Sequence, residues 1–482
     1  MLPKFKMTLS ILLTFFSSLI VSPDTSIHTT VEAQAIVSDA GVTPFWMRSL
    51  QYGSVPVENP GLVLRAWNGK NYNLKKKYDW KYEVEATGWT GKQNDFWLTQ
   101  AYLSGRWRKW ELWAGRRKEV YGLGDTTMTS GFYAWSGNAV PMPKIQLGTR
   151  DYLNFAKGWL GVHMTYSHGW FDNQGPTINA YLHQKSLYGR LGKPNAHINL
   201  FGGLNHQVFW GGEAKEKGGQ FDYYPSSLNA YFYVVTALKD RTIVSTDKNT
   251  SWYDALNQYG NHLGSIDLAM QLKTNWGKIL LYKQTAYETG RVASLTTSDD
   301  GIWGISFQFK NHGLIEHFAI EHLSTVNQGL YVAGLARVLG LVDTHYPETE
   351  NYFNNGASGG WAYWKKGIGT PMIVIDSETI LGGTTSFRFN AIKSFYMAVR
   401  GRLPTEIQWM LRLSKSQHGF IQYGNENPKS RFIAYSPQSS VSLKLEKLIF
   451  KRIITNFTIG FDKGEQLANT LGGQIGINYS LY

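Results

Sequence analysis

The sequence predicts an all-β fold: a transmembrane antiparallel β-barrel of the bacterial outer-membrane type, with about eighteen strands. Three observations predict it. Long segments alternate apolar and polar residues with a period of two, which puts the two sets on opposite faces of a strand. Beyond the N-terminus no stretch approaches the roughly 18 consecutive apolar residues of a membrane helix, and mean hydropathy is −0.29. Aromatic residues make up 15% of the chain, with 18 Trp and 28 Tyr, a content suited to interfacial girdles or ring-stacking surfaces.

At the N-terminus, Lys4 and Lys6 precede an apolar run over residues 7–21 that is broken by Ser17 and Ser18. Ala33-Gln34-Ala35 then supplies a small-residue cleavage pattern, the layout of an export signal. The expected division is a signal peptide over 1–35 and one barrel with plug and long extracellular loops over 36–482. The separation of Val21 from Ala33 leaves room for earlier cleavage.

The alternation begins with Tyr78, Trp80, Tyr82, Val84 and Ala86 on one face and Asp79, Lys81, Glu83, Glu85 and Thr87 on the other. It returns at Ile266, Leu268, Met270 and Leu272, and at Trp303, Ile305, Phe307 and Phe309. Further copies run through Ile407, Trp409, Leu411 and Leu413, then Val441, Leu443 and Leu445, then Ile453, Phe457, Ile459 and Phe461. In lipid only a closed barrel satisfies strand backbone groups, so apolar-out, polar-in strands imply a barrel. Arg108-Lys109 and Lys447 mark short turns, whereas residues 342–371 form a long connection rich in Gly, Asn and Trp. At roughly 25 residues per strand with its connection, the chain after Ala35 accommodates about eighteen strands. The last strand, through Ile475, Ile477, Tyr479 and Leu481, ends in the terminal aromatic Tyr482.

The chain has no Cys, which excludes disulfides, thiolate metal sites, a Cys nucleophile and a lipid-bearing N-terminal Cys. A formal net charge of +13 favours anionic partners, and export sets nucleic acid aside among them. Gly356-Ala357-Ser358-Gly359-Gly360 matches a nucleophile elbow in spelling, but it lies among Tyr352, Asn354 and Asn355 and reads as a Gly-rich loop. His312, Glu316, His317, Glu321 and His322 are metal-ligand types without chelating spacing. On a strand, Glu316 and His322 share one face and His317 and Glu321 the other, so no metal site is expected. Arg116, Arg117 and Lys118 form a basic run that suits acidic sugars, lipid phosphates or a solvated turn. Trp46, Trp135, Trp210, Trp361 and Trp364 occur among Gly and Asn, outside clean alternation.

An ordered set of segments resembles the Wzi-type capsule assembly family. It starts at Thr43-Pro44-Phe45-Trp46 with Gln51-Tyr52-Gly53, and continues through residues 136–145, 166–171 and 182–188. Gly203-Leu204-Asn205-His206 with Trp210-Gly211-Gly212 follows, then Asn261-His262-Leu263-Gly264, residues 351–355, Gly360-Trp361-Ala362-Tyr363 and Ile368-Gly369-Thr370-Pro371. The resemblance implies a monomeric, partly plugged barrel in the cell outer membrane that holds capsular or other surface polysaccharide during assembly. It implies outer-membrane lipid as the surroundings, an export partner left open, no cofactor and no catalytic residue. A porin or saccharide channel is the alternative, and an outer-membrane hydrolase a more distant one. Glycan contact is expected on loops and plug, at Asn205, His206 and Trp210 and at Tyr352, Asn354, Asn355, Trp361 and Tyr363. There amides and imidazole can pair with hydroxyls, and rings can stack on pyranose faces.

Overall fold

The computed structural model describes residues 27–481 apart from 93, 219–221, 239–258, 289–294, 342–349, 381, 384–385 and 423–430. Eighteen strands follow one another around a closed wall. They are β1 (Ile27–Ser38), β2 (Gly61–Lys70), β3 (Tyr78–Gly91), β4 (Asp95–Trp107), β5 (Trp110–Arg116) and β6, made of Pro143–Thr149 and Leu153–Phe155. Next come β7 (Leu160–Trp170), β8 (Tyr181–Leu191), β9 (Ile198–Trp210), β10 (Asn261–Lys273), β11 (Gly277–Tyr287) and β12 (Gly301–Phe309). The last six are β13 (His317–Ser324), β14 (Ala391–Arg402), β15 (Gln408–Gln422), β16 (Arg431–Phe450), β17 (Ile453–Gly464) and β18 (Thr470–Ser480). Each pairs antiparallel with its chain neighbours, and β1 pairs with β18 from Thr30↔Ser480 to Ser38↔Gly472, which closes the ring.

Alternation decides which face each side chain takes. Leu187, Leu200, Leu268, Phe457 and Ile475 are exposed on the outer surface, an apolar band that only lipid can cover around a whole barrel. Between them Glu32, Glu85, Gln146, Gln284, Glu321 and Asp462 are buried on the inner face. Trp107, Trp159, Trp276 and Phe450 mark one rim and Phe96, Trp170, Trp303 and Tyr435 the other, all exposed, as two interfacial girdles require.

The two ends differ. One carries turns of two to seven residues and both ends of the strand ring. The other carries connections 39–60, 117–142, 211–260 and 325–390. Short periplasmic turns opposite long extracellular loops are the usual barrel polarity. Among the described residues three α-helices occur, all on this long-loop side: α1 (Phe45–Arg48), α2 (Leu228–Thr236) and α3 (Gly334–Val338). None is long and apolar enough to cross a membrane.

Two sequence expectations meet the structure differently, and a third falls outside the described residues. Residues 27–35, assigned above to the signal peptide, form most of β1 and pair with both β2 and β18. Cleavage after Ala35 would remove most of the strand that closes the ring. Lys447 lies inside β16, and the turn is 451–452; the ladder to β17 runs on through Lys447↔Thr455 and Leu448↔Ile454, with an irregularity just before Phe450. Tyr482 lies outside the described residues.

Candidate functional site: the loop-filled mouth

Three long connections fold back into the lumen, and the polar inner wall receives them. A loop in a barrel must find partners for its backbone N–H groups. Here inward carboxylates and amides supply them. Phe45 N–H donates to Asp462 (2.7 Å), Leu123 N–H to Asp267 (3.0 Å), Ser130 N–H to Glu321 (2.7 Å) and Tyr133 N–H to Gln284 (2.9 Å). The apolar side chains then pack on one another: Met128, Phe132, Tyr133, Tyr352, Phe353 and Trp361 are fully buried. Connections 117–142 and 325–390 are stitched by Ser136 N–H to Ile368 O (3.0 Å) and Thr370 N–H to Tyr133 O (2.9 Å). Gly369 allows that approach, since a Cβ there would lie 2.5 Å from Tyr133 O. Connection 39–60 is tied in by Glu378, which takes ion pairs from Arg48 and from Lys366 (2.6 Å).

The expected contact residues fall in three different surroundings. Asn205 faces the lumen from β9 and donates to Tyr188 Oη (3.0 Å) and Ser265 Oγ (2.7 Å). His206 and Trp210 lie on the opposite face of the same strand. His206 Nε2 meets His262 Nδ1 at 2.9 Å, and Trp210 stacks on Tyr231 with ring centroids 5.2 Å apart. Trp210 is covered by α2, whose Ser227 cap accepts Ala230 N–H and whose Leu228 and Phe232 point outward, exposed. This trio is therefore strand-borne and divided between two faces. Tyr352, Trp361 and Tyr363 are buried in the plug: Tyr352 Oη donates to Asp300 (3.0 Å), Trp361 Nε1 to Ala134 O (2.8 Å), and Tyr363 Oη accepts from Arg116 (3.3 Å). A ring with no exposed face, as for Trp361 at 0%, presents nothing for a sugar to stack on. Asn354 and Asn355 are half-buried; Asn354 bridges to the Phe387 backbone and Asn355 Oδ1 caps the turn at Ala357 N–H (2.9 Å).

At the outer surface of the plug a shallow crevice joins connection 171–180 to a small ribbon, Ala362–Tyr363 with Lys366–Gly367. The ribbon turns through Trp364 (φ 49°) and Lys365 (φ 58°), a two-residue turn that normally needs Gly or Asn. Left-handed conformations of bulky residues are costly and concentrate where a site needs them. Trp364 N–H donates to the Asp172 carboxylate, and its indole N–H is buried without a partner. Burial raises the Asp172 carboxyl above the usual range despite N–H donors from Gln174 and Trp364. Gln174, Ser358 and exposed Lys365 complete the lining. Ring edge, amide, carboxylate and ammonium thus converge within one groove, the donor and acceptor mixture that hydroxyl-rich ligands need. Trp364 is one of the five tryptophans that stand outside clean alternation in the sequence, but Asp172 and Gln174 carry no signal of their own; only the folded loops bring them close.

The other motifs resolve into structure. Gly356–Gly360 is loop, and Ser358 Oγ accepts Gly360 N–H (3.3 Å). The basic run is drawn inward: Arg117 pairs with Glu111 (2.7 Å) and Lys118 with Glu85 (2.6 Å), so it is neither a solvated turn nor an outward patch. The acidic and His residues near β13 divide as alternation requires, with His317 and Glu321 inward and His322 outward. Ser306, His317 and Asp125 do assemble: His317 Nε2 is 3.1 Å from Ser306 Oγ and 2.6 Å from Asp125 Oδ2. A hydrolytic triad puts serine and acid on different ring nitrogens. Here both contact Nε2, while Nδ1 is buried without a partner, so no proton relay runs through the ring. Among the described residues no group of three or more His, Cys, Asp or Glu could hold a metal ion.

These features define an outer-membrane-type β-barrel whose extracellular mouth is filled by its own loops. Comparison with solved structures gives a corresponding picture. The chain is similar to Wzi of Escherichia coli, described with its structure as an outer-membrane carbohydrate-binding β-barrel involved in group 1 capsule assembly. The TM-score is 0.58 at 14% identity, covering 98% of this chain and 87% of that one. OccK5 (OpdH) of Pseudomonas aeruginosa follows at a TM-score of 0.45 and 8% identity, covering 94% of this chain and 97% of that one. An anion-selective porin from Comamonas acidovorans stands at 0.36 and 12%, covering 94% and 98%. No family model and no curated protein sequence matches the chain. The resemblance expected from the sequence is met at the level of the fold.

Proposed function

We propose that this barrel is a non-enzymatic outer-membrane protein that binds surface polysaccharide during capsule assembly and attachment. One observation carries the reading. The plug is locked to the wall at many points, yet it presents a strained Trp364-Lys365 turn beside Asp172 and Gln174 at its outer surface. That investment in a rigid, polar, aromatic groove on a blocked mouth fits holding a glycan better than passing one. The carbohydrate binding described for Wzi, whose fold is similar, supports the same reading. Contact is assigned to the groove and the flanking Asn354 and Asn355. Tyr352, Trp361 and Tyr363 hold that surface in place from below, and Asn205, His206 and Trp210 act through the wall. An N-terminal leader removed before Ile27 delivers a single-barrel monomer to the outer membrane.

Deleting the gene in the host tests this. Polymer should still be made but should appear in the medium instead of on cells. Loss of all polymer, inside and out, would point to synthesis or export instead. A channel is the competing reading, and planar-bilayer conductance separates the two: a large steady pore would favour a channel.

A further inference from the structure

The plug leaves part of the lumen empty. Below α1 lies a cavity of about 110 Å³, walled by the inner faces of β1, β2 and β15 to β18 and roofed by Trp46, Met47, Gln51 and Val55. A single water needs on the order of 10–15 Å³ of such space, so a group the size of a sugar unit has room. Exposure rises toward the short-turn end: Ser440 and Ser442 are buried on β16, whereas the next inward side chains, Lys444 and Glu446, are 46% and 35% exposed. The lumen is thus a well, capped by the plug and open on the side of the short turns.

Its lining is cationic. Arg65, Arg412 and Lys444 face Glu32 as the one lining carboxylate. Arg65 holds Glu32 at 3.0 Å through Nη1, and Lys444 reaches Glu446 at 2.6 Å. Arg412 has no carboxylate partner among the described residues. Arg65 Nε and Nη2 and Arg412 Nε make no hydrogen bond, nor do the acceptors Gln34 Oε1 and Asn456 Oδ1. Buried donors without partners are costly, and guanidinium groups match carboxylates as paired donors. An oxyanion seated here would meet donors the protein leaves unused. Gln34, Gln474, Thr458 and Ser442 lie beside them for hydroxyls, and buried Trp46 closes the roof, its own N–H donating to Ser414 Oγ at 3.0 Å.

We propose that this well is a second binding site, entered from the short-turn side, for a sugar unit that carries a carboxylate. The sugar as carrier rests on the polysaccharide reading above; the preference for a carboxylate does not.

The test is calorimetric titration of the full-length protein in detergent with glucuronate, with glucose and acetate as comparison probes. Glucuronate should bind saturably and glucose should not, while acetate should bind at least tenfold more weakly. Arg412→Gln should weaken glucuronate at least tenfold and Arg412→Lys should recover part of it, with heat modifiability reporting an intact barrel. Lys444→Gln gives a second variant in case Arg412→Gln does not fold. Glucuronate binding no better than glucose, or unchanged in folded Arg412→Gln and Lys444→Gln proteins, overturns the site. Acetate binding as tight as glucuronate overturns its assignment to a sugar. Wild-type protein that retains whole polymer on cells but ignores glucuronate overturns the well alone. Protein that binds glucuronate but retains no polymer overturns the reading of the mouth alone.

Discussion

Glu378 illustrates how single side chains hold the mouth. Burial pushes its carboxyl up, but Arg48 and Lys366 outweigh burial and hold it near about 2. A carboxylate with a depressed folded pKa stabilises above its ordinary value, and that contribution is lost as pH falls through the folded pKa. The lock therefore stands from about pH 4.5 upward and weakens between there and about 2. Glu378→Gln should lose it at every pH, leaving two buried cations facing an amide, at a cost of about 3–5 kcal/mol. Connection 325–390 should then be cut by protease at neutral pH while the barrel stays heat-modifiable; unchanged protease resistance would show that the pairs contribute nothing. Trp361→Ala removes a fully buried ring and a hydrogen bond, so it should loosen the plug by about 3–5 kcal/mol, detected by the same cleavage. Asn355→Ala loses only a turn cap and should cost about 1 kcal/mol. At this scale the sequence shows chemistry but not cover: the ring of Trp361 looks as available as that of Trp364 until the neighbouring loops are placed.

Elements were legible where the period of two was clean and were lost where another element covered it. β3, β10, β12 and β16 declare themselves by outward Trp, Leu, Ile and Val against a mostly polar inward face. β9 does not, because its outward face carries His206 in place of a uniform apolar stripe and is covered at Val208 and Trp210 by α2. That is why Asn205, His206 and Trp210 looked like loop chemistry. β1 was hidden differently, since Ala33-Gln34-Ala35 is both a small-residue cleavage pattern and ordinary strand alternation with Ala outward. Its pairing with β18 makes a direct prediction: N-terminal sequencing of protein from outer membranes should find a first residue no later than Ile27. A mature chain starting at Ile36 would contradict the closed ring described here.

For the whole molecule, the barrel and its strand number follow from repeated alternation and chain length, because lipid leaves strand backbones no other solution. The sites do not follow. Arg65 and Arg412 are far apart in sequence and meet only because β1 closes on β18; Asp172 and Trp364 meet only because two loops fold over one mouth. Three interlocked connections in the lumen predict that the purified protein shows no large, steady conductance in planar bilayers, and a porin-like open state would refute that. The central claim is polysaccharide binding without turnover. Its most direct measurement is binding of the host's purified surface polysaccharide to the purified protein, with the polymer's size distribution checked afterward. The account predicts saturable binding that falls at least tenfold in Trp364→Ala, with polymer length unchanged. No binding, or polymer shortened by the wild-type protein, would contradict it.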